Sequence, residues 1–68
     1  LPKADLSEAD LKGANLCEAS LFGASLKQAC LEEARLFGAD FSEADLSGAS
    51  LKLARYNATT RWPQDFQP

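Results

Sequence analysis

At 68 residues the chain makes at most one small domain, near the lower size limit for a core that holds itself together. Ten acidic against seven basic side chains leave a net charge of −3, which favours solubility and disfavours nonspecific binding to nucleic acid. Histidine is absent and two cysteines alone do not make a zinc site, so the usual general base and the usual structural metal are both missing.

The chain opens on Leu1-Pro2-Lys3, and Leu1 already holds the register of the later leucines. From Ala4 to Ala58 an alanine returns every five residues through eleven consecutive units, beginning Ala4-Asp5-Leu6-Ser7-Glu8. The third position is leucine in nine of the eleven, with Phe41 and Tyr56 in the others. Asp, Asn, Ser, Cys or Arg holds the second position, and Gly13, Gly23, Gly38 and Gly48 fall at the fifth. On an α-helix, at roughly 100° per residue, leucines five apart step by about 140° and spread around the whole cylinder. On a flat strand they alternate between the two faces. They all point inward only if the chain turns by a constant angle in each unit, which describes a β-solenoid. Ala, Leu, Lys and Glu are good helix formers, so a helical array competes. The glycines and the Asp, Asn and Ser residues at second and fourth positions argue against it.

The run A-[DNSCR]-[LFY]-x-x resembles that of the pentapeptide repeat proteins and covers 55 of the 68 residues, or 58 with Leu1-Pro2-Lys3. The resemblance implies an all-β fold, a right-handed quadrilateral β-helix with four units per coil and about 2.75 coils here, Ala and the central Leu or Phe inside. Small alanines let neighbouring coils approach, where a larger side chain would overpack a narrow core. Asp, Asn and Ser at the second position hydrogen-bond nearby turn backbone, and a fifth-position glycine supplies positive φ at low steric cost. Cys30, Arg35 and Arg55 sit where the family prefers Asp, Asn or Ser, which predicts looser turns there.

Stacking every twenty residues then sets the outer columns. Lys12, Glu32 and Lys52 are expected to form a ladder of alternating sign, while Asn15, Arg35 and Arg55 place two like charges together. Phe22 stacks between Pro2 and Ser42, and Phe37 between Cys17 and Asn57, both facing outward on adjoining faces. These two phenylalanines are the candidate partner contacts, set against the ordinary scatter of apolar side chains on any surface. Cys17 and Cys30 fall on different faces and are expected to be free thiols. After Lys52 the pattern frays, with Leu53 and Ala58 at fifth positions otherwise held by Glu, Lys, Gln or Gly. The stretch Tyr56 to Pro68 holds the only Tyr, the only Trp and two of the three Pro. It is similar to a closing Y-x-x-x-T-x-[FW]-P-x-x-F segment of cyanobacterial family members. Residues 1–58 are thus expected to form the solenoid and 59–68 a capping tail that covers the last leucines.

For function the sequence points to a non-enzymatic structural or protein-interaction module. No nucleophile and base, metal cluster or phosphate loop is visible, and no cofactor is expected. The resemblance supplies an alternative, a DNA mimic that binds a type II topoisomerase (gyrase). About 13 Å of stacked coils against about 34 Å for one turn of B-DNA, and the interruption by Arg35 and Arg55, count against it. The partner expected is a protein, or a second copy meeting the open N-terminal end where Leu6, Leu11 and Leu16 lack a covering coil and Pro2 blunts one side. No nucleic acid, membrane or small-molecule substrate is expected. A start inside a repeat is expected of a piece of a longer protein. A soluble location is expected, cytoplasmic, or thylakoid-lumenal or periplasmic if an upstream signal was removed.

Overall fold

The repeats through Leu53 are all closed by the same turn. In the computed structural model, which describes residues 3–68, each alanine amide donates to the carbonyl of the central residue three positions earlier. The series runs from Ala9 onto Leu6 at 3.0 Å to Ala54 onto Leu51 at 2.9 Å. The residue just before each repeat-opening alanine has positive φ, from 62° at Lys3 to 61° at Leu53. A positive φ confined to the third of four turn residues is the signature of a type II turn. Glycine is expected there, yet Lys3, Glu8, Glu18, Gln28, Glu33, Glu43 and Leu53 adopt it as well. Each of these side chains carries a left-handed strain on the order of 1 kcal/mol, so the stacking of coils, and not local preference, imposes the turn. Glycine also makes room at one corner: a Cβ on Gly48 would meet the Gln28 Cγ at 3.0 Å.

The main-chain bonds between coils account for the five-residue period. Parallel bridges join Asp5 to Ser25 to Asp45, Asp10 to Cys30 to Ser50, Asn15 to Arg35 to Arg55, and Ser20 to Asp40. These four columns define four faces, numbered one to four in that order. In the middle coil the Ser25 amide donates back to the Ala4 carbonyl at 2.8 Å. The Leu26 and Gln28 amides donate forward to Asp45 and Ser47, both at 2.8 Å. Three amides of a unit thus bind neighbouring coils and a fourth closes the turn, so few main-chain donors remain to be satisfied. A corner every five residues leaves space for one bridge per face. The β-architecture expected from the sequence therefore consists of isolated bridges, and among the described residues none lengthens into a strand.

This frame turns alanine and the central residue into the core. Leu26, Leu31, Leu36, Phe41, Ala34 and Ala39 are fully enclosed at 0 % exposure. Leu6, Leu11 and Leu16 of the first coil are only partly buried against that cluster, with no further coil over them among the described residues. The expected stacking of Phe22 under Pro2, and the blunting of the edge by Pro2, fall outside the described residues.

At the other end the register slips by one residue and the ladder continues. Arg61 bridges to Asp40, twenty-one positions earlier, with the Phe41 amide donating to the Arg61 carbonyl and the Arg61 amide to the Ala39 carbonyl, both at 2.8 Å. The extra residue is absorbed beside Asn57, whose side-chain oxygen accepts from the Thr59 amide at 3.0 Å and hydroxyl at 2.6 Å. Thr60 then occupies the alanine place, buried, and its hydroxyl donates to the Leu36 carbonyl at 2.8 Å. Trp62 follows in the central place and stacks on Phe41 at 5.3 Å and 7°. Tyr56 meets Trp62 edge-on at 5.3 Å, and Phe66 stacks on it at 5.4 Å. The bridging thus crosses the division expected between 58 and 59, because a threonine is small enough to stand in for alanine.

Candidate functional site

What the fold offers to other molecules is its four outer faces, each displaying the second, fourth and fifth positions of its repeats. Second-position carboxylates are occupied in holding the corners. Asp5, Asp10, Asp40 and Asp45 accept from the amide two residues later, at 2.9 to 3.2 Å, and Asn15 does the same for Cys17. Among the described residues Cys30, Arg35 and Arg55 make no such bond, yet the turns after Cys30 and Arg35 close at 3.1 and 3.0 Å like the rest, so the looser turns expected there are not seen.

These bonds set the ionisation of the corner carboxyls. The Ser7 amide and then its hydroxyl hold Asp5 below the usual carboxylate range. The Ser42 hydroxyl and amide do so for Asp40, and the Ser47 hydroxyl and amide for Asp45. A carboxyl with a depressed folded-state pKa stabilises the fold fully above the ordinary carboxylate range, and that contribution disappears as pH falls through it. Thermal melts followed by circular dichroism should therefore show a midpoint that is level at neutral and mildly acidic pH and falls below about pH 4. An Asp5→Asn/Asp40→Asn/Asp45→Asn variant should flatten that fall, since an amide oxygen accepts the same bonds without titrating. An unchanged acid limb in the variant would show that other groups govern it.

Side chains on the outer faces pair diagonally. The fourth-position residue reaches the second position of the next coil: Ser7 to Ser25 at 2.8 Å, Lys27 to Asp45 at 3.7 Å, and the Ser50 hydroxyl to the Glu32 carboxylate at 2.8 Å. The expected Lys12/Glu32/Lys52 ladder is absent among the described residues, because Glu32 is turned toward Ser50 instead. Second and fourth positions lie on the same side of an extended chain, which brings a residue and its diagonal neighbour within reach.

Phe22 and Phe37 do lie on adjoining faces, three repeats apart, and no ring contact joins them among the described residues. Phe22 is 38 % exposed, while Phe37 is half-buried with the Arg35 guanidinium 6.0 Å from its ring centre. Among the described residues the most exposed large apolar side chain is Leu53 at 70 %, and Tyr56 is exposed as well. Leu53 stood out in the sequence only as an apolar residue in a glycine or glutamate position; its display follows from the corner that position occupies. Cys17 and Cys30 are free, half-buried thiols. No helix among the described residues is long and apolar enough to cross a membrane.

A family model described as pentapeptide repeats matches residues 3–36 and 34–55. The chain is similar to the crystal structure of HetL, a pentapeptide repeat protein involved in heterocyst differentiation regulation in the cyanobacterium Nostoc sp. strain PCC 7120. The TM-score is 0.77 at 40 % identity, over 81 % of this chain and 27 % of HetL. The chain thus spans about a quarter of HetL's length. It is also similar to alr5209, a pentapeptide repeat protein of Nostoc, with TM-score 0.72 at 30 % identity over 98 % of this chain and 72 % of that one. A third similar structure is a pentapeptide repeat protein of the Arabidopsis thaliana thylakoid lumen, with TM-score 0.58 at 31 % identity over 93 % of this chain and 57 % of that one. No curated protein matches in sequence.

Proposed function

The chain belongs to the pentapeptide repeat family, and from that premise we propose that it is a non-enzymatic module, a right-handed quadrilateral β-helix whose faces bind another protein. The observation that carries this reading is the main-chain accounting: amides bound between coils and within turns fix the outer side chains at set spacings. Such a frame displays side chains without reorganising, which lowers the ordering cost of binding. The corner carboxyls support a non-catalytic role, since turn amides and hydroxyls hold them ionised and engaged. Phe22 and Phe37 are the proposed contacts on the faces. We assign the display to the solenoid, 1–58, prolonged by the Arg61 bridge, and the cover to Trp62 and Phe66 within 59–68. For location we favour an aqueous compartment, cytoplasmic or lumenal. Duplex mimicry needs an acidic face as long as a helical turn of DNA, about 34 Å. The 21 Å extent of the molecule and its arginine column favour protein docking instead.

The half-buried Leu6, Leu11 and Leu16 add an end-to-end contact, a second copy meeting the first coil around a two-fold axis. Sedimentation across a concentration series is expected to show the 68-residue chain passing from monomer to dimer. A version carrying one extra N-terminal coil with a polar outer edge should stay monomeric. A chain monomeric at every concentration would remove the end contact. Association that survives the extra coil would transfer the contact to Phe22 and Phe37.

A further inference from the structure

The third face, built on Asn15, Arg35 and Arg55, differs in chemistry from the other three. We infer that it is a docking surface for an acidic, partly apolar peptide segment of a partner protein, a proposal that rests on the interaction role above. The Arg35–Arg55 bridge holds the two residues in register, about 4.8 Å apart, and both side chains are exposed. Among the described residues neither guanidinium has a carboxylate within 4.0 Å. Arg61 on the fourth face also has no carboxylate within 4.0 Å, but its bridge partner is Asp40 and not a second arginine. The Arg35–Arg55 bridge thus stacks two arginines in one column, the only bridged pair of cations among the described residues, on a chain whose net charge is −3. They repel one another, and a carboxylate placed between them would relieve that repulsion while accepting two parallel N–H bonds from a planar fork.

Apolar surface flanks this pair. Leu53 borders one shallow hollow together with Arg55 and Glu33. Every other non-glycine residue from Lys3 to Glu43 that shares its left-handed conformation has a long polar side chain; leucine is the exception, and it points into water. Phe37 lies beneath the Arg35 guanidinium. Arginine and aromatic side chains are what protein interfaces concentrate. Glu33 sits on the rim with the sign of the incoming segment, so it steers carboxylates away from its own corner and onto the arginine column.

The test is a selection of random short peptides displayed on phage, with the full 68-residue chain as bait. Retained peptides are expected to carry at least two carboxylates and an apolar side chain. By fluorescence anisotropy a retained peptide should bind Arg55→Gln roughly tenfold more weakly, and Arg35→Gln/Arg55→Gln on the order of a hundredfold more weakly. Leu53→Gln should cost several-fold, and Arg61→Gln should change nothing. Unaltered melting curves would establish that each variant is folded. Neutral or basic peptides, no retained peptide, equal binding by the double variant, or an oligothymidine strand bound at these arginines would each overturn the assignment. Peptides kept by the double variant but lost with Phe22→Ser would overturn it while leaving the interaction role standing on another face.

Discussion

Phe41→Ala is expected to bring the chain to the edge of unfolding at room temperature. The ring is completely enclosed and lies against Trp62, so its removal opens a cavity and strips the indole of its stacking partner. Such truncations cost about 3–5 kcal/mol. A 68-residue domain has a total stability on the order of 3–10 kcal/mol, so the loss consumes most of it. Trp62 is the only tryptophan, which makes its fluorescence a direct reporter on this contact during urea unfolding. Its emission should shift to the red in the variant even before denaturant is added. Phe41→Leu, which restores the residue found at nine other central positions, should lose only about 1 kcal/mol. An unchanged urea midpoint for the alanine variant would mean that the aromatic stack contributes nothing to stability.

Ala34→Leu should be nearly as damaging, for the opposite reason. Ala34 is at 0 % exposure in the middle coil, its amide closes the turn onto Leu31 at 3.1 Å, and its carbonyl receives the Arg55 amide at 2.9 Å. A larger side chain must push the main chain aside and so weakens the bonds joining two coils. Overpacking costs about 1–3 kcal/mol or more. The adjacent Glu33→Leu supplies the contrast. That residue is exposed with φ of 61°, the same conformation that Leu53 adopts naturally one coil later. The substitution should therefore change stability by only about 0.5 kcal/mol. Urea midpoints of the two variants decide the matter, and comparable losses would overturn the assignment of inside and outside.

The five-residue period was enough to place leucine inside, while four units per coil, and with them the inward alanines and the alignment of residues twenty apart, came from the resemblance to the pentapeptide repeat proteins. The left-handed corners were only partly visible. Glycine marks Gly13, Gly23, Gly38 and Gly48, but Glu8 or Gln28 carries no local sign of a conformation that neighbouring coils impose. The slip before Arg61 was hidden because Thr59 and Thr60 resemble any turn pair; what identifies Thr60 as an alanine substitute is its reach to the Leu36 carbonyl. The outer pairings were misjudged for a geometric reason. Stacking places Glu32 directly above Lys12, yet its side chain leans to Ser50. Of the two candidate contacts, Phe22 is displayed as expected, whereas the partial cover of Phe37 by Arg35 depends on side-chain direction that spacing alone does not convey.

The difference between the two periods bears on how such a chain can change length. Its sequence repeats every five residues, but its cross-links join residues about twenty apart. A duplication of one repeat after Leu46 would leave every unit intact in composition and still turn all later columns by one side. Arg55 would then lie over Asp40, and Trp62 over Leu46 instead of Phe41. A duplication of four repeats disturbs none of these partners when it falls between complete columns. Heritable gains and losses that preserve both the arginine pair and the aromatic stack must therefore come in whole coils, which makes the coil, and not the pentapeptide, the unit on which selection acts.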